Sequence, residues 1–177
     1  MLLKETKLQD CFIIEPERFE DDRGFFARAW SASEFDSKGL QVHFVEANLS
    51  FNRRKNTLRG LHYQRFPHGQ AKLVRCTRGS VYDVALDLRR ESPTYKQWFG
   101  VELSQENRHM LFVPEGFVHG FQTLEDDCEV FYEVTKPYAP ASSYGIRWND
   151  PAFNIKWPEA EELIMLPRDR DYPDYKD

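Results

Sequence analysis

From Lys72 to Thr135 the chain runs as a series of short segments in which apolar and polar residues alternate, each stopped by turn-forming residues. The segments are Lys72 to Thr77, Ser80 to Leu88, Trp98 to Leu103, Arg108 to Val113, Phe117 to Thr123 and Cys128 to Thr135, and the breaks include SQEN, PEG and LEDD. Alternation with period two puts every second side chain on one face of a pleated strand. Short strands at near-regular spacing, with Gly and Pro in the turns, predict an all-β sandwich or barrel, and a jelly roll is the architecture of choice. The stretch TRGSV between the first two segments reads as a hairpin turn. With Arg78 and Gly79 as its loop residues, Val74 faces Asp83 and Cys76 faces Val81. Lys72, Val74, Cys76, Val81, Asp83 and Ala85 then share one face.

That face is apolar except for Lys72 and Asp83, and the neighbouring faces carry His119 between Phe117 and Phe121, and Tyr132 between Val130 and Val134. Ionisable groups inside a barrel are costly without partners, so several together predict a ligand pocket. Helix is scarce. Ser31 to Gly39 has a capping-box pattern, Ser31 with Glu34, and a Gly stop, and Pro158 to Leu163 is a weaker candidate. Without repeats or a Gly/Ser linker, the 177 residues read as one domain, 1–177.

Aromatics make up 15% of the chain, which suits sheet and apolar cavities. A net charge of -5 points away from nucleic acid and from anionic membrane, and no run is apolar enough to span a bilayer. An anionic ligand would have to be met by a local basic cluster. Cys11, Cys76 and Cys128 are widely spaced and odd in number, which predicts buried free thiols in a reducing, cytoplasmic setting.

The segment TLRGLHYQ carries Arg59 and His62 on either side of Gly60. In an unbroken strand they face opposite ways, and a bulge at Gly60 would redirect one of them. His62, with Asp169 of LPRDRDYP as a carboxylate partner, is a candidate general base. Lys72 is a candidate for stabilising an enolate oxygen, and Tyr132 for returning a proton from the other side. Those are the groups that inversion beside a ketone requires. The plain alternatives are a core histidine, a core aromatic and a solvated tail charge. Among the basic residues, Arg23 in DDRGFF and Arg59 are better diphosphate candidates than the Arg53-Arg54-Lys55 run, because each adjoins a Gly. Gln64 stands where a metal-binding HxH pair needs its second His, and His43, His68 and His109 have no ligand spacing, so no metal is expected.

The segments DDRGFF, NLSFNRRKNTLRGLHYQ, KLVRCTRGSVYDVALDLRRESPTY, VPEGFVHGFQTLED and DPAFNIKWP, in that order and spacing, resemble the dTDP-4-dehydrorhamnose 3,5-epimerase family over roughly residues 5 to 175. The resemblance implies a cupin-type jelly roll, a homodimer and no cofactor. It implies an epimerase that inverts C3, C5 or both in a nucleotide-diphospho-4-keto-6-deoxy sugar, with dTDP as the nucleotide. By motif, His62 matches the base, Asp169 its partner, Tyr132 the acid and Lys72 the group at the enolate oxygen. Arg59 matches a diphosphate ligand, and Arg23 an arginine reaching the nucleotide of the neighbouring subunit. Asn48, Ser50 and His119 match further pocket residues, and Asp83 is expected to support Lys72. Two departures, Arg28 where the family has Glu and Glu46-Ala47-Asn48 where it has Gln-Asp-Asn, bear on the nucleotide and the sugar. Relatives of this fold also act on other nucleotide-linked keto sugars or isomerise the ketone. A non-catalytic sugar-binding cupin is the other alternative, and it has no need of an acid opposite a base.

Overall fold

The alternating segments become strands of two facing antiparallel sheets in the computed structural model, which describes residues 1–176. The N-terminal part supplies β1 (Leu2–Glu5), β2 (Phe12–Glu15), the ribbon β3 (Arg18–Asp21) and β4 (Gly24–Ala27), α1 (Ala32–Asp36) and β5 (Glu46–Asn52). Then follow β6 (Leu58–Gln64), β7 (Lys72–Arg78), β8 (Ser80–Asp87), β9 (Trp98–Ser104), β10 (Met110–Val113), β11 (Phe117–Thr123), β12 (Cys128–Val134) and β13 (Ser143–Gly145). A single turn, α2 (Pro167–Arg170), lies near the C-terminus. The front sheet has the order β1-β2-β10-β7-β12-β5 and the back sheet β13-β6-β11-β8-β9. From β5 to β8, and again from β9 to β13, consecutive strands alternate between the sheets.

This winding corrects the expected hairpin. β7 and β8 are not paired. They belong to opposite sheets, and Gly79 is the corner between them. Cys76 lies opposite Val130 of β12, and Val81 opposite Leu103 of β9. At Gly79 the backbone has φ +72, and a Cβ there would lie 2.7 Å from Cys128 Sγ, so glycine answers both strain and crowding. The expected common face survives for a different reason. Both strands turn it into the space between the sheets, where Val74, Cys76, Val81 and Ala85 join Leu103, Leu111, Phe117 and Val130 in the central core.

The outer faces are covered separately. Phe35 of α1 is fully buried and meets Phe112 edge-on at 5.5 Å, anchoring the helix to the front sheet. The expected capping box is absent. Ser31 makes no side-chain cap, and Glu34 pairs instead with the Met1 ammonium at 2.9 Å and Arg28 at 3.2 Å. Residues 158–163 are not helical. Their polar run offers no apolar stripe to bury, and the chain runs on to Ile164, which bonds to the backbone of Asn56 and Leu58 at 3.0 and 2.8 Å. Phe153, Trp157 and Tyr175 cover the back sheet. The three cysteines are free and buried, and burial pushes the Cys11 and Cys76 thiols up to about 12. Among the described residues no helix is long and apolar enough to cross a membrane.

Candidate active site

Between the sheets opens a cavity of about 470 Å³, walled by Ser50, Arg59, His62, Lys72, His119 and Tyr132 and closed on one side by the segment Ile164 to Asp169. His62 reaches it through an irregularity in β6. Along β11, His119 lies opposite His62 and Phe121 opposite Arg59, so Gly120 alone spans the interval filled by Gly60 and Leu61. His119 and Phe121 share a face, so this bulge turns Arg59 and His62 to the same cavity. Only glycine permits it. Gly60 has φ +129, and a Cβ there would come 2.6 Å from the Gly120 Cα.

Asp169 arrives from α2. Its Oδ1 accepts from His62 Nε2 at 2.8 Å and its Oδ2 from the Gly60 N–H at 3.3 Å. Burial alone would raise the Asp169 carboxyl. The His62 hydrogen bond and charge, the Gly60 N–H and Arg168 outweigh it, and the pKa lies below the ordinary carboxylate range. The carboxylate therefore stays charged and accepts the Nε2 proton, leaving Nδ1 as the basic nitrogen.

Facing His62 from the front sheet are Lys72 on β7 and Tyr132 on β12. Burial lowers the Lys72 pKa to about 8 despite the opposing charge of Asp83. Burial raises the Tyr132 phenol, with Arg59 pulling it down and Glu46 pushing it up. His119 Nε2 donates to both oxygens of Asp83, each at 2.9 Å. Arg59 Nε donates to Asn52 Oδ1 at 2.7 Å, which aims the guanidinium along the rim. Ser50 Oγ is buried in the wall with no protein partner, an open position for a ligand polar group.

His62, Asp169, Tyr132, Lys72, Arg59, Ser50 and His119 thus line one cavity. Three expected residues do not. Asp83 is fully buried behind His119 and does not line the cavity. Its direct partner is His119, and it acts on Lys72 only through charge. Asn48 stands beside Tyr132 across the β5–β12 pairing but is not part of the wall. Arg23 is 89% exposed at the tip of the β3–β4 ribbon, paired with Asp21 and away from this cavity. Arg168, not among the expected site residues, lines the cavity with its side chain and meets Asp169 Oδ1 at 3.4 Å. Its signal was its place beside Asp169 in a Pro-initiated turn. Of the departures from the family pattern, Arg28 is spent on Glu34, and Glu46 is exposed yet within electrostatic reach of Tyr132.

Gln64, at the position a metal-binding strand would give to histidine, is buried. Its amide donates to the carbonyls of His68 and Pro137 at 2.7 and 3.3 Å, and its Oε1 accepts from the Ala139 N–H at 2.7 Å. Among the described residues no group of three or more His, Cys, Asp or Glu could hold a metal ion.

Residues 5–177 match the family described as dTDP-4-dehydrorhamnose 3,5-epimerase. A curated protein of that name from Salmonella typhimurium is 48% identical over 174 residues, 98% of this chain and 94% of its own. The crystal structure of the dTDP-4-dehydrorhamnose 3,5-epimerase from Elizabethkingia anophelis superposes with a TM-score of 0.96 at 41% identity, covering 99% of this chain and 96% of that one. That from Bacillus anthracis, solved with TDP and PPi bound, superposes with 0.94 at 40% identity, covering 98% and 99%.

Proposed function

The chain belongs to the dTDP-4-dehydrorhamnose 3,5-epimerase family, and from that membership we propose that it converts dTDP-4-dehydro-6-deoxyglucose to dTDP-4-dehydrorhamnose by inverting C3 and C5. One observation carries the reading. The candidate base and the candidate acid stand on opposite sheets, His62 on the back and Tyr132 on the front, and line the same cavity. Inversion needs that opposition, whereas a binding module does not.

In the proposed reaction His62 Nδ1 takes the proton from a carbon next to the C4 ketone. The released electron pair forms the enolate, and its charge falls on O4, where the Lys72 ammonium meets it. Tyr132 gives its phenolic proton to the opposite face of the same carbon, and the ketone is restored. The sugar is neither oxidised nor reduced, so no redox cofactor enters the balance. Arg59 and Arg168 at the rim supply the positive charge for a diphosphate that a chain of net charge -5 must concentrate locally. Three buried free thiols fit a cytoplasmic enzyme.

We further propose a homodimer. The β3–β4 ribbon exposes Phe19 at 67% and Phe26 at 69%, and the edge strand β5 exposes Leu49 at 67%, an apolar surface suited to a second copy. Arg23, at the tip of that ribbon, is then available to the partner's nucleotide.

The test is NMR in D2O with dTDP-4-dehydro-6-deoxyglucose and chelator-treated enzyme. Deuterium should enter at C3 and C5 with inversion at both. Exchange at neither carbon, or turnover only after a metal is restored, would overturn the reading.

A further inference from the structure

The segment that delivers Asp169 to His62 delivers a second side chain. The Tyr172 ring stands 6.4 Å from the His62 ring, centroid to centroid, at an interplanar angle of 76°. It is half-buried and forms no part of the cavity wall, so it meets the imidazole from outside the ligand space. Its seat is prepared by the back sheet. β13 pairs with β6 so that Gly145 lies directly opposite His62. A Cβ at Gly145 would fall 2.1 Å from Cε2 and Cζ of Tyr172. The tyrosine ring therefore fills the space that any other residue at 145 would occupy.

This matters for a base held by one hydrogen bond. The contact between Nε2 and Asp169 fixes where that nitrogen lies but leaves the ring free to swing about the N···O line. A second ring packed near a right angle to it blocks the swing, in the edge-to-face arrangement that aromatic pairs favour. We propose that Tyr172 is a positioning residue that fixes the plane of the His62 imidazole so that Nδ1 faces the cavity, and that Gly145 is the vacancy that admits it. The effect expected on kcat rests on His62 being the base, and the effect on the imidazole orientation does not.

The experiment compares wild type, Tyr172→Phe, Tyr172→Ala and Gly145→Ala, by steady-state kinetics and by NMR of 13C-labelled histidine in the unliganded protein. Tyr172→Phe keeps the ring and should match wild type. Tyr172→Ala and Gly145→Ala should each lower kcat about tenfold to a hundredfold, the scale of a misplaced catalytic group, with KM unchanged. In both, the His62 Cε1 resonance should broaden or split, as the imidazole samples more than one orientation. Full kcat in Tyr172→Ala would overturn the proposal. So would a Tyr172→Phe variant as impaired as Tyr172→Ala, since that would place the hydroxyl in the chemistry. If Tyr172→Ala does not fold, Gly145→Ala decides alone, because it keeps the tyrosine and only displaces it. The NMR readout needs no substrate. A wild type that fails to exchange deuterium, alongside altered His62 resonances in the variants, would sink the proposed reaction and leave the positioning role standing.

Discussion

An ammonium enclosed by protein is a costly charge, and Lys72 keeps one in the cavity with a pKa lowered to about 8. If that charge holds the enolate, kcat/KM should fall about tenfold per pH unit above pH 8, as the free enzyme loses the proton. Lys72→Met should abolish turnover. The sign of its effect on stability follows from the same shift. A lysine with its folded pKa below its unfolded value disfavours the folded state while protonated, and the penalty is full below the folded value and fades between it and the ordinary lysine value. Lys72→Met should therefore raise the melting temperature at pH 7, and a lower one would show that the ammonium stabilises the fold. Tyr132→Phe tests the other side of the sugar. It should let deuterium enter with retention, because His62 can return a proton only to the face it came from, and normal inversion would remove Tyr132 as the acid. The residues proposed for these roles were legible unevenly. His62, Lys72 and Tyr132 sit on alternating strands, where periodicity declares a face. Asp169 lies 107 residues from His62, and only the folded chain joins them. Arg168 was passed over because a charged residue in a polar tail looks like solvated surface until the tail folds over a cavity.

The strands were readable as strands but their partners were not. Phe117–Thr123 came out with its expected ends and Trp98–Ser104 one residue longer, since alternation reports the pleat directly. TRGSV misled because a Gly with positive φ serves a hairpin and a corner between sheets equally well, and alternation says nothing about which strand lies alongside. Glu34 had the spacing of a capping residue but found two cations instead. At β6 the bulge was legible from Gly60 because Arg59 and His62 could not otherwise act together. Gly60→Ala should cost about 1–3 kcal/mol in urea unfolding from backbone strain, with the clash against Gly120 added. It should also reduce turnover in whatever protein still folds, by separating Arg59 from His62. A variant with wild-type stability and turnover would show that the bulge neither needs glycine nor aims the base.

The whole molecule carries net charge -5, binds its proposed anion through a few arginines, and leaves a phenylalanine-rich ribbon uncovered. Arg23 on that ribbon is too exposed to serve its own cavity, so its predicted effect belongs to the proposed dimer. Arg23→Ala should weaken nucleotide binding by about 1.5–3 kcal/mol. Mixed with His62→Ala subunits, it should recover about a quarter of wild-type turnover at low substrate, since half of the two-fold dimers are mixed and each has one complete site. No recovery despite proven subunit exchange would confine Arg23 to its own subunit. The interleaving of the sheets reaches into inheritance. His62 and Tyr132 stand on opposite walls, yet the strands between them are drawn from both walls. Any single genetic crossover between these two residues therefore builds both sheets from two parents. No contiguous piece of gene carries one wall by itself. A single crossover between His62 and Tyr132 cannot exchange the proposed base side for another while leaving the proposed acid side intact.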